Sequence, residues 1–131
     1  MVGILSHPER NLGILANRHL VPPLVETGCL LQVTAGALVG TLGPQVQKLA
    51  QWMIQQRLVH CVSTDAHGAK SRRPLLRRGF DCVARLAGEQ TAVELCCRNP
   101  ALVVAGKAVM PPHRKPTQPG LAGWFRRKKA G

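Results

Sequence analysis

Asp65 and His67 are the residues on which chemistry would centre in this sequence. They stand two apart in Ser63-Thr64-Asp65-Ala66-His67, directly after the apolar run Val59-His60-Cys61-Val62. If that run is a strand, both side chains face one site, because strand side chains alternate with period two. Carboxylate and imidazole together suit a divalent ion of the zinc, manganese or iron type. Such an ion can make a water nucleophilic near neutral pH. A second apolar run, residues 2–6, leads into His7-Pro8-Glu9-Arg10, so His7 is a further candidate ligand. Arg10, Arg72 and Arg73 follow the candidate ligands closely, and a guanidinium fork matches phosphate oxygens. Metal plus arginine is a constellation for phosphate-ester hydrolysis. Blander readings stand beside it: His7 as a loop histidine, Asp65 as a turn or cap residue, Arg72 and Arg73 as a solvated loop.

Other chemistries find less support. A thiol phosphatase needs arginine six residues after its cysteine, and Cys61 is followed at that spacing by His67. Neither G-x-x-x-x-G-K-[ST] nor G-x-G-x-x-G occurs. The five cysteines form no C-x-x-C pair, which predicts reduced, mostly buried thiols and a cytoplasmic location. No apolar stretch approaches the roughly 20 residues of a membrane span, and no transmembrane segment is expected.

The elements that must position these residues follow from hydrophobic pattern. Apolar runs at 2–6, 29–34 and 59–63 read as strands, and near-continuous runs of this kind are typical of strands buried on both faces of a parallel sheet. Asn17 can cap a helix over 18–27, with Pro22 and Pro23 arguing for a kink or a late start. Residues 35–43 read as a glycine-punctuated loop. Pro44 opens the clearest helix, with Val46, Leu49, Ala50, Met53, Ile54 and Leu58 on one face. A polar loop at 68–73 precedes helices predicted at 74–87, where Gly88 interrupts, and at 91–98. Asn99-Pro100 reads as a turn before the last apolar stretch, 101–105. Strands alternating with helices predict a parallel α/β fold, and chemistry in such folds gathers at the C-terminal ends of strands. His7, Gln32, Asp65 and His67 all sit at such ends.

The formal net charge is +12, unevenly spread. Residues 107–131 carry seven Lys or Arg and no acid, whereas residues 1–106 carry eleven bases and all six acids. The tail is punctuated by Pro111, Pro112, Pro116 and Pro119 and is expected to be disordered.

Taken in order, Ser6-His7-Pro8-Glu9-Arg10-Asn11, Gln32-Val33-Thr34-Ala35-Gly36-Ala37-Leu38 with Gly40 and Gly43, and Ser63-Thr64-Asp65-Ala66-His67 with Arg72 and Pro74 resemble part of a known family. It is the bacterial PHP-type (polymerase and histidinol phosphatase) tyrosine phosphatases of capsule and exopolysaccharide operons. The resemblance spans about residues 2–106. It implies the C-terminal half of a distorted (β/α) barrel, a partial phosphatase domain over 1–106, and a basic tail over 107–131 outside it. It also implies a metal site, usually manganese, with His7, Asp65 and His67 as ligands. Arg10 and Arg72 would hold the substrate phosphate. The substrate would be phosphotyrosine on the tail of the autokinase that controls polysaccharide export.

Members of the family carry an His-x-His motif and glutamate ligands ahead of the H-P-E-R element, and here Met1 stands six residues before His7. A truncated chain is therefore expected, with little turnover alone and either a homo-oligomer or a complementing N-terminal fragment as partner. Two alternatives remain at this stage. One is another PHP-type phosphoesterase of the histidinol-phosphatase kind, against which residues 32–43 argue. The other is a non-catalytic basic module binding nucleic acid or membrane through 107–131; nucleic acid is not the first choice of partner.

Overall fold

A computed structural model describes residues 1–70 and 74–110. Three short parallel strands form its centre: β1 (Ile4–Ser6), β2 (Leu30–Thr34) and β3 (Cys61–Ser63), side by side in sequence order. Ser6, Gln32 and Cys61 lie level across the sheet, and so do Thr34 and Ser63. The C-terminal strand ends are therefore neighbours, and the segments that leave them meet.

Between β1 and β2 the chain makes a single turn at Pro8–Arg10, then α1 (Leu12–Ala16), a second turn at Arg18–Leu20 and α2 (Val21–Glu26). The Asn11 side chain accepts from the Ile14 N–H and caps α1. Asn17 caps the Arg18–Leu20 turn instead of a long helix, and Pro22 and Pro23 fall at the start of α2, where their missing N–H groups cost nothing. The late start is thus the correct one of the two options for 18–27.

Between β2 and β3 come α3 (Ala35–Leu38) and α4 (Pro44–Gln55). The expected loop at 35–43 begins with this extra helical turn, all four of whose residues are buried. Its small residues allow close packing: a Cβ on Gly79, in a later helix, would sit 2.8 Å from that of Ala35. In α4, Leu49, Ala50, Met53 and Ile54 are buried on one face, as their spacing predicts. They join Leu31, Val33, Leu38, Leu58 and Val83 in a single core.

After β3, α5 (Leu76–Ala87) begins two residues later than Pro74 suggests and stops at Gly88, whose φ of 94° takes the chain out of the helix. There follow α6 (Glu89–Val93), a π-helical turn at Glu94–Arg98 and α7 (Asn99–Val104). Asn99-Pro100 is therefore a helix start, not a turn. The Asn99 N–H reaches back five residues to the Glu94 carbonyl, and Pro100, with no N–H to offer, falls in the first turn of α7.

β1 also departs from expectation. It pairs with β2 on one side and no described strand lies on its other side; Ile4 is 45% exposed and Val2 64%. An apolar run reports a preference for burial, but it does not say whether a neighbouring strand is present to provide it.

His60, immediately before β3, is buried at 2% exposure. Its Nδ1 accepts the Leu31 N–H at 3.1 Å, which places the proton of the neutral ring on Nε2. Its carbonyl accepts from the Asn99 side chain at 2.8 Å and so anchors α7. Burial holds the imidazole below its ordinary pKa of 6.5. Protonation would also set an Nδ1–H against the Leu31 N–H. Because the unfolded chain takes up this proton more readily, the contribution of His60 is complete above about pH 6.5 and is lost as pH falls below it. Urea denaturation between pH 5 and 8 is expected to show this loss. His60→Asn, whose carbonyl oxygen can accept from Leu31, is expected to flatten the profile.

Candidate active site

The site is built from what leaves the three strand ends. At β1, the His7 N–H donates to the Gln32 carbonyl at 2.8 Å, the last rung of the β1–β2 ladder. His7 itself is left-handed, with φ 41° and ψ 54°, an uncommon conformation for a residue with a side chain. It reverses the chain into the Pro8–Arg10 turn, which closes through Arg10 N–H to His7 carbonyl at 3.1 Å. The turn buries Pro8 and Glu9 and leaves His7 exposed and Arg10 partly so.

At β2, the Gln32 side chain donates to the Ser63 hydroxyl at 2.6 Å and ties β2 to β3. Gln32 thus has a bracing role here. At β3, the strand stops at Ser63, and Asp65 is left-handed with φ 48°. Asp65 and His67 are therefore brought together by a loop and not by the alternation of a strand. The His67 Nδ1 lies 2.8 Å from the Asp65 carbonyl oxygen and 3.7 Å from its carboxylate. Arg10 crosses from the β1 turn and donates to Asp65 Oδ2 at 3.1 Å, with 34% of the arginine side chain and 20% of the aspartate exposed. An arginine and an aspartate 55 residues apart in sequence thereby share one ion pair.

These contacts can be tested against a divalent ion. A neutral His67 with its proton on Nδ1, donated to the Asp65 carbonyl, presents Nε2 as its basic nitrogen; this is how metal-ligating histidines are usually oriented. The carboxylate of Asp65 adds charge beside it. The donor types fit. The donor number does not complete a shell: among the described residues no group of three or more His, Cys, Asp or Glu side chains gathers to hold a metal. His7 is not brought into such a group with Asp65 and His67. Arg72, the second expected phosphate ligand, and Arg73 lie outside the described residues, as does 111–131 of the expected disordered tail.

One residue of the site was missed from sequence. Glu9 is completely buried, and its Oε1 accepts the Thr34 N–H at 3.0 Å while Oε2 has no hydrogen-bond partner among the described residues. Burial raises its pKa above 4.5, against the pull of the Thr34 amide. The available signal was scarcity: one of six acids in the chain, set between a proline and an arginine.

Cys61, Cys82 and Cys96 are buried, Cys29 is half-buried, Cys97 is exposed, and all five are free thiols. Burial and its neighbour Cys97 push the Cys96 thiol up to about 11, where it is no nucleophile. Among the described residues no helix is long and apolar enough to cross a membrane.

Known proteins are similar to this chain. The chain is 32% identical to CapC of Staphylococcus aureus over 82% of its own length and 42% of that protein. It is 30% identical to the tyrosine-protein phosphatase YwqE of Bacillus subtilis, over 90% of this chain and 45% of the relative. The tyrosine-protein phosphatase CpsB of Streptococcus pneumoniae is 26% identical over 81% and 46%. A solved structure from work on YwqE and CpsB as metal-dependent tyrosine phosphatases superposes with a TM-score of 0.79 at 28% identity, covering 87% of this chain and 47% of that one. The chain thus spans a little under half the length of these relatives. The family model described as capsular polysaccharide synthesis, CpsB/CapC, matches residues 1–105. With the H-P-E-R turn and the Asp-x-His loop joined by one ion pair inside that stretch, the chain belongs to the CpsB/CapC family of capsular polysaccharide synthesis proteins.

Proposed function

We propose that this chain serves metal-dependent hydrolysis of phosphotyrosine, on the tail of the autokinase that controls polysaccharide export. The observation that supports the reading is the Arg10–Asp65 ion pair, which joins the candidate phosphate-binding side chain to the candidate metal-binding loop at neighbouring strand ends. The relatives named above as tyrosine phosphatases support it. In this reading residues 1–106 form the C-terminal half of a distorted PHP-type barrel in the cytoplasm, followed by the basic segment 107–131.

Arg10 binds the phosphoryl oxygens through its guanidinium fork, and Arg72, five positions after His67 in the sequence, would add a second cation. Asp65 orients Arg10 from one side. Asp65 and His67 would hold manganese; His7, expected as a further ligand, is not gathered with them here. A bound divalent ion supplies charge that offsets the phosphoryl oxygens and activates water. The donors seen together here make up only part of a coordination shell, so turnover by the chain alone is expected to be slow.

Metal binding is therefore the sensitive readout. Manganese titration of the chain, followed by electron paramagnetic resonance, is expected to show binding that weakens about 10- to 100-fold in His67→Ala. Release of phosphate from a phosphotyrosine peptide is expected to stop on chelation. A chain that neither binds manganese nor releases phosphate would sink the proposal.

A further inference from the structure

We infer that Glu9 is the positioning residue of this site: its buried carboxylate takes the place of a missing rung of the β-sheet and so aims Arg10 at Asp65. The inference deepens the reading of Arg10 as a phosphate-binding group and rests on it.

The ladder shows the substitution. Alternate N–H groups of β2 bond to β1, and the register is fixed by Leu30 N–H to the Gly3 carbonyl at 2.9 Å. Repeating every two residues, that pattern would bring the Thr34 N–H to the carbonyl of His7. But His7 is left-handed, and its carbonyl has turned to accept from Arg10. Thr34 instead donates to Glu9 Oε1 at 3.0 Å. A side chain from the turn completes the rung that the turn abandoned. The strand can then end at His7 without leaving the Thr34 N–H buried and unsatisfied.

A completely buried carboxylate is a costly way to fill space. Its Oε2 has no partner among the described residues, nor does the buried Thr34 hydroxyl, and burial of such groups without hydrogen bonds is unfavourable. An apolar side chain would fill the volume without that penalty. What it cannot do is accept the Thr34 N–H. That bond fixes the middle of the three-residue turn to β2, with His7 on one flank and Arg10 on the other. Arg10 then needs only its own side chain to reach Asp65 at 3.1 Å.

The test uses the full chain and two readouts: the Arg10 Nε–H resonance in nitrogen-15 NMR, which reports the ordered guanidinium, and titration with inorganic phosphate. Glu9→Gln keeps an acceptor for Thr34 and is expected to preserve the Arg10 resonance, with phosphate affinity within about threefold of the parent. Glu9→Met keeps the volume and removes the acceptor. It is expected to lose the ordered resonance and roughly tenfold in phosphate affinity while remaining folded. If Glu9→Met does not fold, Glu9→Asp replaces it, being one methylene too short to reach Thr34, with the same expected losses. A folded Glu9→Met or Glu9→Asp with the parental Arg10 resonance overturns the inference, and so does a folded Glu9→Gln that has lost it. If the parent chain binds no phosphate, the phosphate reading of Arg10 fails, and the NMR comparison still decides whether Glu9 positions it.

Discussion

In Arg10→Ala, affinity for phosphate is expected to fall roughly 10- to 100-fold, the loss of a set of charge-assisted hydrogen bonds. Turnover of a phosphotyrosine peptide is expected to fall further, by about 10²–10³, because charge on the phosphoryl oxygens changes most on the way to the transition state. The guanidinium has two edges, and one is already engaged by Asp65 Oδ2 at 3.1 Å. That ion pair is partly exposed, so its own contribution to folding is small. Its value lies in orientation: it fixes one end of the guanidinium and leaves other N–H groups for a phosphate. Arg10→Lys should therefore recover only a fraction of the binding, since an ammonium keeps charge but not the fork. Isothermal titration with phosphate and steady-state kinetics would measure both effects. Parental phosphate affinity in folded Arg10→Ala would rule out this role.

Leu31→Ala is expected to be the most damaging single change to the fold, at about 2–5 kcal/mol. Leu31 has no exposed surface and lies in β2, the strand with neighbours on both sides. Its main chain is engaged as well, accepting from His60 N–H at 2.9 Å and donating to the His60 ring at 3.1 Å. With both flanks fixed, the backbone has little freedom to close a cavity. Total stabilities of small domains are only about 5–15 kcal/mol, so the loss is a large fraction of the whole. Urea unfolding followed by circular dichroism gives the number. Leu12→Ala is the control: Leu12 is 82% exposed, and the expected change is within about 0.5 kcal/mol.

The sequence was most legible where a pattern repeats. The apolar face of α4 was readable from its period and the three strands from continuous apolar runs, although the run that forms β1 is largely exposed. Asp65, His67 and Arg10 could be singled out as candidates from residue type and position after apolar runs, and the structure brings Arg10 and His67 to Asp65. What was not legible depends on the third dimension. Glycine and alanine at 35–38 signal flexibility in a one-dimensional reading, yet here they form a buried helical turn because α5 must approach closely at Gly79. Asn99-Pro100 signals a turn until the π-helical turn before it absorbs the missing N–H. The Asp65–His67 pairing was right in its members and wrong in its cause, since a left-handed Asp65 and a loop bring them together. Glu9 could not be recognised as a sheet partner because its role depends on where His7 points its carbonyl.

The outer flank of β1 sets how this molecule behaves in a test tube. Gly3 and His7 direct main-chain groups to β2, so those of Ile4 and Ser6 point the opposite way, beside the exposed side chains of Val2 and Ile4. Hydrogen-bonding groups next to greasy side chains make an adhesive seam. Recovery from concentrated stocks is then governed by how often two such seams meet, and a lysine at position 4 would be the simplest way to keep them apart.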